Sequence, residues 1–190
     1  MAKAVSALDG ASHDGYVRVE EAGLQGMITL RGDLSLDAVR AAATTASGTE
    51  MPGTREIRAA EDRALAWMSP DELLLMLPYE EAPETVQQLQ DALAGTHHLA
   101  VNVSDARAMF RLSGGPPVRE VAAKLCPVDL APGRFEPGEF RRTRLAQVAA
   151  AIWMPDAQSL QVICFRSVAG YVHDLLCDAA APGGEVGYLV

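Results

Sequence analysis

Alternation between apolar and polar positions is clearest over residues 99–125. In Leu99–Val103 the residues Leu99, Val101 and Val103 alternate with Ala100 and Asn102, and in Ala108–Leu112 the residues Ala108, Phe110 and Leu112 alternate with Met109 and Arg111. A period of two suits strands that bury one face. Ser113-Gly114-Gly115 then permits a tight turn and Pro116-Pro117 can open a helix, whose Val118, Val121, Ala122 and Leu125 fall on one stripe.

The same reading extends along the chain. It predicts a strand over Gly26–Arg31, a helix over Leu36–Thr45 capped by Ser35, and a hairpin of strands Ala64–Met68 and Leu73–Leu77 around Ser69-Pro70-Asp71-Glu72. Pro83 opens a further helix, with Val86, Leu89 and Leu93 on one face and Gly95 closing it. Beyond a Pro- and Gly-broken loop from Cys126 to about Arg142 come strands Leu145–Met154 and Leu160–Phe165. A last helix follows from Ser167, with the stripe Val168, Tyr171, Val172, Leu175, Leu176 and Ala179.

Both halves repeat strand, helix, hairpin, helix, with one extra strand in the second half. Trp67-Met68 before Pro70-Asp71 is echoed by Trp153-Met154 before Pro155-Asp156. The expected fold class is α+β: two βαββα-like units, each an antiparallel sheet with its helices on one face. The expected divisions are a mobile N-terminal arm over 1–22, a first unit over 23–96, a second over 97–181 and a C-terminal tail over 182–190.

Charge refines this picture. Residues 1–95 hold seven Lys/Arg against sixteen Asp/Glu, whereas residues 96–190 hold nine of each. The acidic first half argues against nucleic acid, which needs a local excess of Lys and Arg. The densest basic group, Arg134, Arg141, Arg142 and Arg144, reads as a solvated loop, with phosphate or carboxylate binding as the alternative. Cys126, Cys164 and Cys177 lack C-x-x-C spacing and suit packing in a reducing compartment. MAKAVSALDG has no signal-peptide core and no apolar run nears the ~20 residues of a membrane span, so a cytoplasmic location without membrane association is expected.

Familiar catalytic patterns are missing. No G-x-S-x-G elbow, G-x-G-x-x-G or P-loop occurs, and His13, His97, His98 and His173 lack zinc-site spacing. Ser113 reads as a turn or helix-cap residue, and Glu61-Asp62, Asp71-Glu72 and Glu80-Glu81 as solvated turn acids. Trp67 and Trp153 are candidate partner anchors at hairpin ends, with sheet packing as the alternative.

Val101-Asn102-Val103-Ser104 followed by Arg111-Leu112-Ser113-Gly114 resembles the signature of the folate-binding aminomethyltransferase superfamily, to which the glycine cleavage T-protein belongs. Within it, the chain resembles the gamma-subunit family of heterotetrameric sarcosine oxidases. That likeness rests on Trp67-Met68-Ser69-Pro70-Asp71-Glu72-Leu73-Leu74, Ala108–Gly114, Cys126-Pro127-Val128-Asp129-Leu130, and Phe165-Arg166-Ser167 with Tyr171. It covers about residues 24–180 and implies the N-terminal part of the aminomethyltransferase fold. It also implies a non-catalytic assembly scaffold within an oxidase that demethylates sarcosine to glycine, with folate and oxygen as acceptors.

The implied partners are larger alpha and beta flavoprotein subunits and a small delta subunit. Flavins, NAD and zinc are expected in those subunits and none in this chain, with tetrahydrofolate serving the complex. Where the transferases carry a buried Asp pair, this chain reads Gln147-Val148-Ala149-Ala150-Ala151-Ile152; Asn102 stands for the family's Asp and Asp105 for its His. No catalytic, cofactor-binding or metal residue is therefore expected. One alternative is a stand-alone folate-binding or one-carbon transfer protein, holding the ligand's glutamate carboxylates with Arg107, Arg111 or Arg166; another is an unrelated adaptor domain.

Overall fold

A computed structural model describes residues 3–189. The chain forms two compact units, one of Met1–Leu24 with Ala106–Val190 and one of Gln25–Asp105. The first contains β1 (Ser12–Asp14), β2 (Arg18–Glu21), β8 (Arg107–Ser113), α3 (Val118–Ala123), β9 (Phe140–Leu145), β10 (Val148–Asp156), β11 (Ser159–Phe165) and α4 (Ala169–Ala179). The second contains β3 (Gly26–Gly32), α1 (Asp37–Ser47), β4 (Ile57–Ala60), β5 (Arg63–Ser69), β6 (Glu72–Leu77), α2 (Ala82–Ala92) and β7 (His98–Asn102).

Each unit has one antiparallel sheet. The six-stranded sheet runs β1-β2-β8-β11-β10-β9 and the five-stranded one β4-β5-β6-β3-β7. The expected α+β class with helices on one face describes both. In one, Val39, Ala42, Ala43 and Leu89 of α1 and α2 bury Ile28, Leu30, Leu65, Leu73 and Leu75. In the other, Val121, Val172 and Leu176 of α3 and α4 bury Phe110, Leu112, Ile152 and Val162. Each of the Val, Leu, Ile and Phe side chains contributes roughly 1.5–3 kcal/mol on burial, the alanines less. The opposite sheet faces are apolar too, with Met27, Leu74 and Met76 in one and Ala151, Trp153 and Ile163 in the other all buried. Burial on both faces explains why β6 and β10 read as continuous apolar runs.

The repeat is βαβββα, one strand longer than the sequence suggests. The added strands, β4 and β9, lie at sheet edges, and the arginines of β9 mask its alternation. Two divisions also move. Leu99–Val103 does not open the second unit: β7 pairs with β3 and closes the first sheet, and its Ala100 joins that sheet's core. The expected arm over 1–22 is instead built into the second sheet from Ser12 onward, with β2 pairing with β8 in the place that β7 takes beside β3. Met1, Ala2 and Val190, the outer ends of the expected arm and tail, lie outside the described residues.

Smaller differences are local. Ser35 does not cap α1; its N–H and Oγ both donate to Asp33 Oδ1, at 2.9 and 2.6 Å, forming a turn, and Leu36 holds the N-cap position. The tryptophan echo is out of register by one residue. Counting back from the two-residue turns (Ser69 opposite Glu72, Asp156 opposite Ser159), Trp67 matches Met154 and Ala66 matches Trp153. Trp67 therefore alternates with Leu65 on the helix side of its sheet, while Trp153 faces away from the helices.

Two buried carboxylates hold the terminal segments. Glu21 accepts from Ser6 Oγ (2.7 Å), Gly10 N–H (2.7 Å) and Leu8 N–H (3.1 Å). Burial alone would raise its pKa, but these donors outweigh burial and hold it below the ordinary 4.5. Glu120 accepts from Val186 and Gly187 N–H, both at 2.6 Å, and those bonds likewise hold its carboxyl low. A depressed folded value stabilises the docked segments above about pH 4.5, and that stabilisation is lost as pH falls through the folded value. Protection of the Gly10 and Gly187 amides, measured as exchange relative to the intrinsic rate at each pH, is thus expected to be high at pH 7 and to fall on acidification towards pH 3. Glu21→Gln should bring fast exchange at Gly10 to pH 7, and pH-independent protection would contradict this reading.

Candidate functional site

The predicted ligand residues lie on and beside the central strands of the six-stranded sheet. Arg107, Met109 and Arg111 alternate on the β8 face turned away from α3 and α4, beside Gln161, Ile163 and Phe165 of β11, Ala149, Ala151 and Trp153 of β10, and Phe140, Arg142 and Arg144 of β9. This face combines an apolar middle with basic margins. Trp153 and Phe140 pack with ring centroids 5.9 Å apart, and Trp153 is only 7% exposed, as expected of an aromatic used for packing. Trp67 is half-buried near the end of its own hairpin.

The three candidate arginines have different surroundings. The Arg107 guanidinium lies over the Phe165 ring, 4.3 Å from its centroid. Arg111 is exposed and pairs across the ladder with Glu20; the Gln158 backbone N–H and the Ser159 donors hold the Asp156 carboxyl below its ordinary range, and the Arg111 charge adds the smallest part. Arg166 donates through Nη2 to the carbonyls of Val5 (2.9 Å) and Ser6 (3.0 Å), which commits that nitrogen to the N-terminal segment. Arg107 and Arg111 share a face, roughly 13 Å apart along the strand. Arg166 lies one residue past the end of β11 and is turned to another task.

The basic group at 134–144 is also divided. Arg141 bonds Glu139 at 2.7 Å and lies over the Phe135 ring at 5.5 Å, pairing across from Ile152; Arg142 and Arg144 pair across from Ala151 and Ala149 and so take the other face. Strand alternation therefore separates residues that look clustered in the sequence.

Burial decides the chemistry open to the remaining groups. It pushes the Cys164 thiol up to about 11 and raises Cys126 and Cys177 as well, so none is a thiolate nucleophile at neutral pH. Among the described residues no group of three or more His, Cys, Asp or Glu is disposed to hold a metal. Ser113 closes β8 opposite Ser159, and Gly114 and Gly115, at φ 139° and 90°, make the turn into α3. β10 carries Ala150 and Ala151, 8% and 4% exposed, with no acid before Asp156. A methyl group there neither accepts a proton nor orients an amine.

The sequence reading overlooked two buried charges, Arg119 and Glu120 at the start of α3, 5% and 4% exposed. Arg119 donates to the carbonyls of Leu130 (3.0 Å) and Phe135 (2.5 Å) and reaches Glu136 at 3.3 Å, pinning the loop before β9. No sequence signal marks them, since Arg and Glu in a first helical turn are ordinarily solvated. No helix among the described residues is long and apolar enough to cross a membrane.

Comparison with known proteins agrees with this geometry. The chain is 34% identical over 128 residues to the sarcosine oxidase subunit gamma of Arthrobacter sp., covering 66% of this chain and 62% of that protein. It is 32% identical over 116 residues to that of Corynebacterium sp. strain U-96, covering 61% of this chain and 55% of that one. The matches thus span less than two thirds of these relatives' own length. A chain in the structure of the heterotetrameric sarcosine oxidase from Corynebacterium sp. U-96 in complex with pyrrole 2-carboxylate superposes with a TM-score of 0.78 at 27% identity, over 86% of this chain and 83% of that one. The glycine cleavage aminomethyltransferase T of Bartonella henselae shares the fold, with a TM-score of 0.60 at 12% identity, over 82% of this chain and 44% of that one. With the family model of the sarcosine oxidase gamma subunit matching residues 31–182, the chain belongs to the sarcosine oxidase gamma subunit family.

Proposed function

We propose that this chain is a non-catalytic gamma subunit of a four-subunit cytoplasmic oxidase that demethylates sarcosine to glycine with folate and oxygen as acceptors. Its part is to pack against the larger alpha and beta flavoprotein subunits, beside a small delta subunit, and to stabilise the assembly. Flavins, NAD and zinc then reside in the other subunits, and tetrahydrofolate is handled by the complex. The observation that carries this reading is β10, where buried alanines stand at the positions for which the resemblance implies reactive acids in the transferases. Family membership supplies the context, and the three free thiols suit a reducing compartment.

The purified chain is expected to produce no sarcosine-dependent hydrogen peroxide alone and to co-elute in size-exclusion chromatography with the other three subunits. Turnover by the isolated chain, or a wild-type chain that stays outside the complex, would overturn the proposal.

A further inference from the structure

The four edges of the two sheets are not protected alike. β1 is three residues long and carries Asp14; β9 carries Arg141, Arg142 and Arg144; β4 is four residues long and carries Arg58. Short length and inward or edge charges are the usual means of keeping a strand edge from pairing with another chain. β7, His98-Leu99-Ala100-Val101-Asn102, has neither Lys, Arg, Asp, Glu nor Pro. Its Leu99 and Val101 are 50% and 40% exposed, and among the described residues no strand pairs with its outer side.

The backbone of β7 is set for such pairing. Val103 N–H donates to Met27 O, and in an antiparallel ladder this fixes the alternation: Leu99 and Val101 turn their N–H and C=O towards β3, so His98, Ala100 and Asn102 turn theirs outward. The sister sheet shows the completed form. There β2 occupies the position of β7 and is itself covered by the antiparallel β1.

Charge indicates what covers β7. Gln25–Asp105 carries thirteen Asp/Glu against five Arg, and a concavity of about 600 Å³ at the head of β7 is lined by Asp33, Asp71, Arg31, His97, His98 and Leu99. Arg31 is paired with Asp71 at 2.5 Å, which leaves the Asp33 carboxylate as the excess charge there. A second copy of so acidic a unit is repelled, whereas a basic segment is drawn in.

Resting on the subunit reading above, we propose that β7 is the docking edge for an extended segment of a partner subunit, which adds to the five-stranded sheet as a sixth strand. That segment places apolar side chains two residues apart over Leu99 and Val101, and a basic residue at Asp33.

Hydrogen exchange on the assembled oxidase tests this. The amides of Ala100 and Asn102 are expected to gain protection on assembly, while those of Leu99 and Val101, already bonded to β3, change little. Leu99→Lys with Val101→Lys, both at exposed positions, should leave the melting temperature of the isolated chain nearly unchanged and weaken its entry into the complex at least tenfold. If wild-type chain co-elutes but these amides stay unprotected, or the double variant assembles at full strength, the docking edge is wrong and the subunit reading survives. Protection of the same amides in a self-associated form of the isolated chain would instead assign the edge to a second copy and overturn the partner segment. A wild-type chain that enters no complex removes the subunit reading and this edge together.

Discussion

Arg119→Ala is expected to destabilise the unit built on the six-stranded sheet by about 3 kcal/mol, a fall of roughly 10 °C in its melting temperature. The guanidinium is 5% exposed and donates to two main-chain carbonyls, Leu130 O and Phe135 O, in a loop with little regular structure of its own. Removing it leaves those acceptors buried without this donor, at about 1–3 kcal/mol each, and vacates the space of the side chain. The exposed half of the Glu136 side chain makes its 3.3 Å ion pair the smaller part of the loss. Arg119→Lys should recover little, because a single ammonium cannot reproduce a planar fork that reaches two carbonyls and a carboxylate. Each unit holds one tryptophan, Trp67 or Trp153, so the melt is read through Trp153 fluorescence in a Trp67→Phe background. A change below 1 kcal/mol would show that water or a rearranged loop replaces the guanidinium.

The same loop marks the boundary of what the sequence makes legible. Where an element buries one face, its period is written in the chain: β8, with Ala108, Phe110 and Leu112 inward, and α4, with Val172 and Leu176 inward, were both readable in type and approximate extent. β4 and β9 were not, because edge strands trade apolar alternation for charges that keep them solvated. The boundary between the units escapes the pattern for a related reason. Pattern shows that Leu99–Val103 is a strand, but its partner, β3, lies some seventy residues earlier, and pairing over that distance leaves no local trace. The alanines of β10 were visible as a missing chemistry once the resemblance supplied what to look for. Arg107, Arg111 and Arg166 were visible only as charges, and the fold alone separates the one lying on Phe165 from the one tied to the N-terminal carbonyls.

Residues 1–22 lack a sustained period, yet the second-largest expected effect lies there. Gly15 passes so close to the end of α4 that a Cβ would stand 1.9 Å from the Ala180 carbonyl oxygen, the acceptor of the 2.9 Å bond from Tyr16 N–H. Backbone meets backbone at that point, so no side-chain rotation relieves the contact. Gly15→Ala must therefore push the segment off α4, losing that bond and disturbing Val17 and Val19, both fully buried. Overpacking of about 1–3 kcal/mol together with a lost hydrogen bond of about 1 kcal/mol gives a destabilisation of roughly 2–4 kcal/mol. Gly170→Ala is the matched control. It lies in the first turn of α4 with nothing within 4 Å of an added Cβ, so alanine should stabilise the same unit by about 0.4–1 kcal/mol through helix propensity and a less flexible unfolded chain. Opposite signs for the two substitutions, read in the same Trp153 melt, would establish that the N-terminal segment is part of the sheet's structure; equal and small effects would return it to the status of a loosely attached arm.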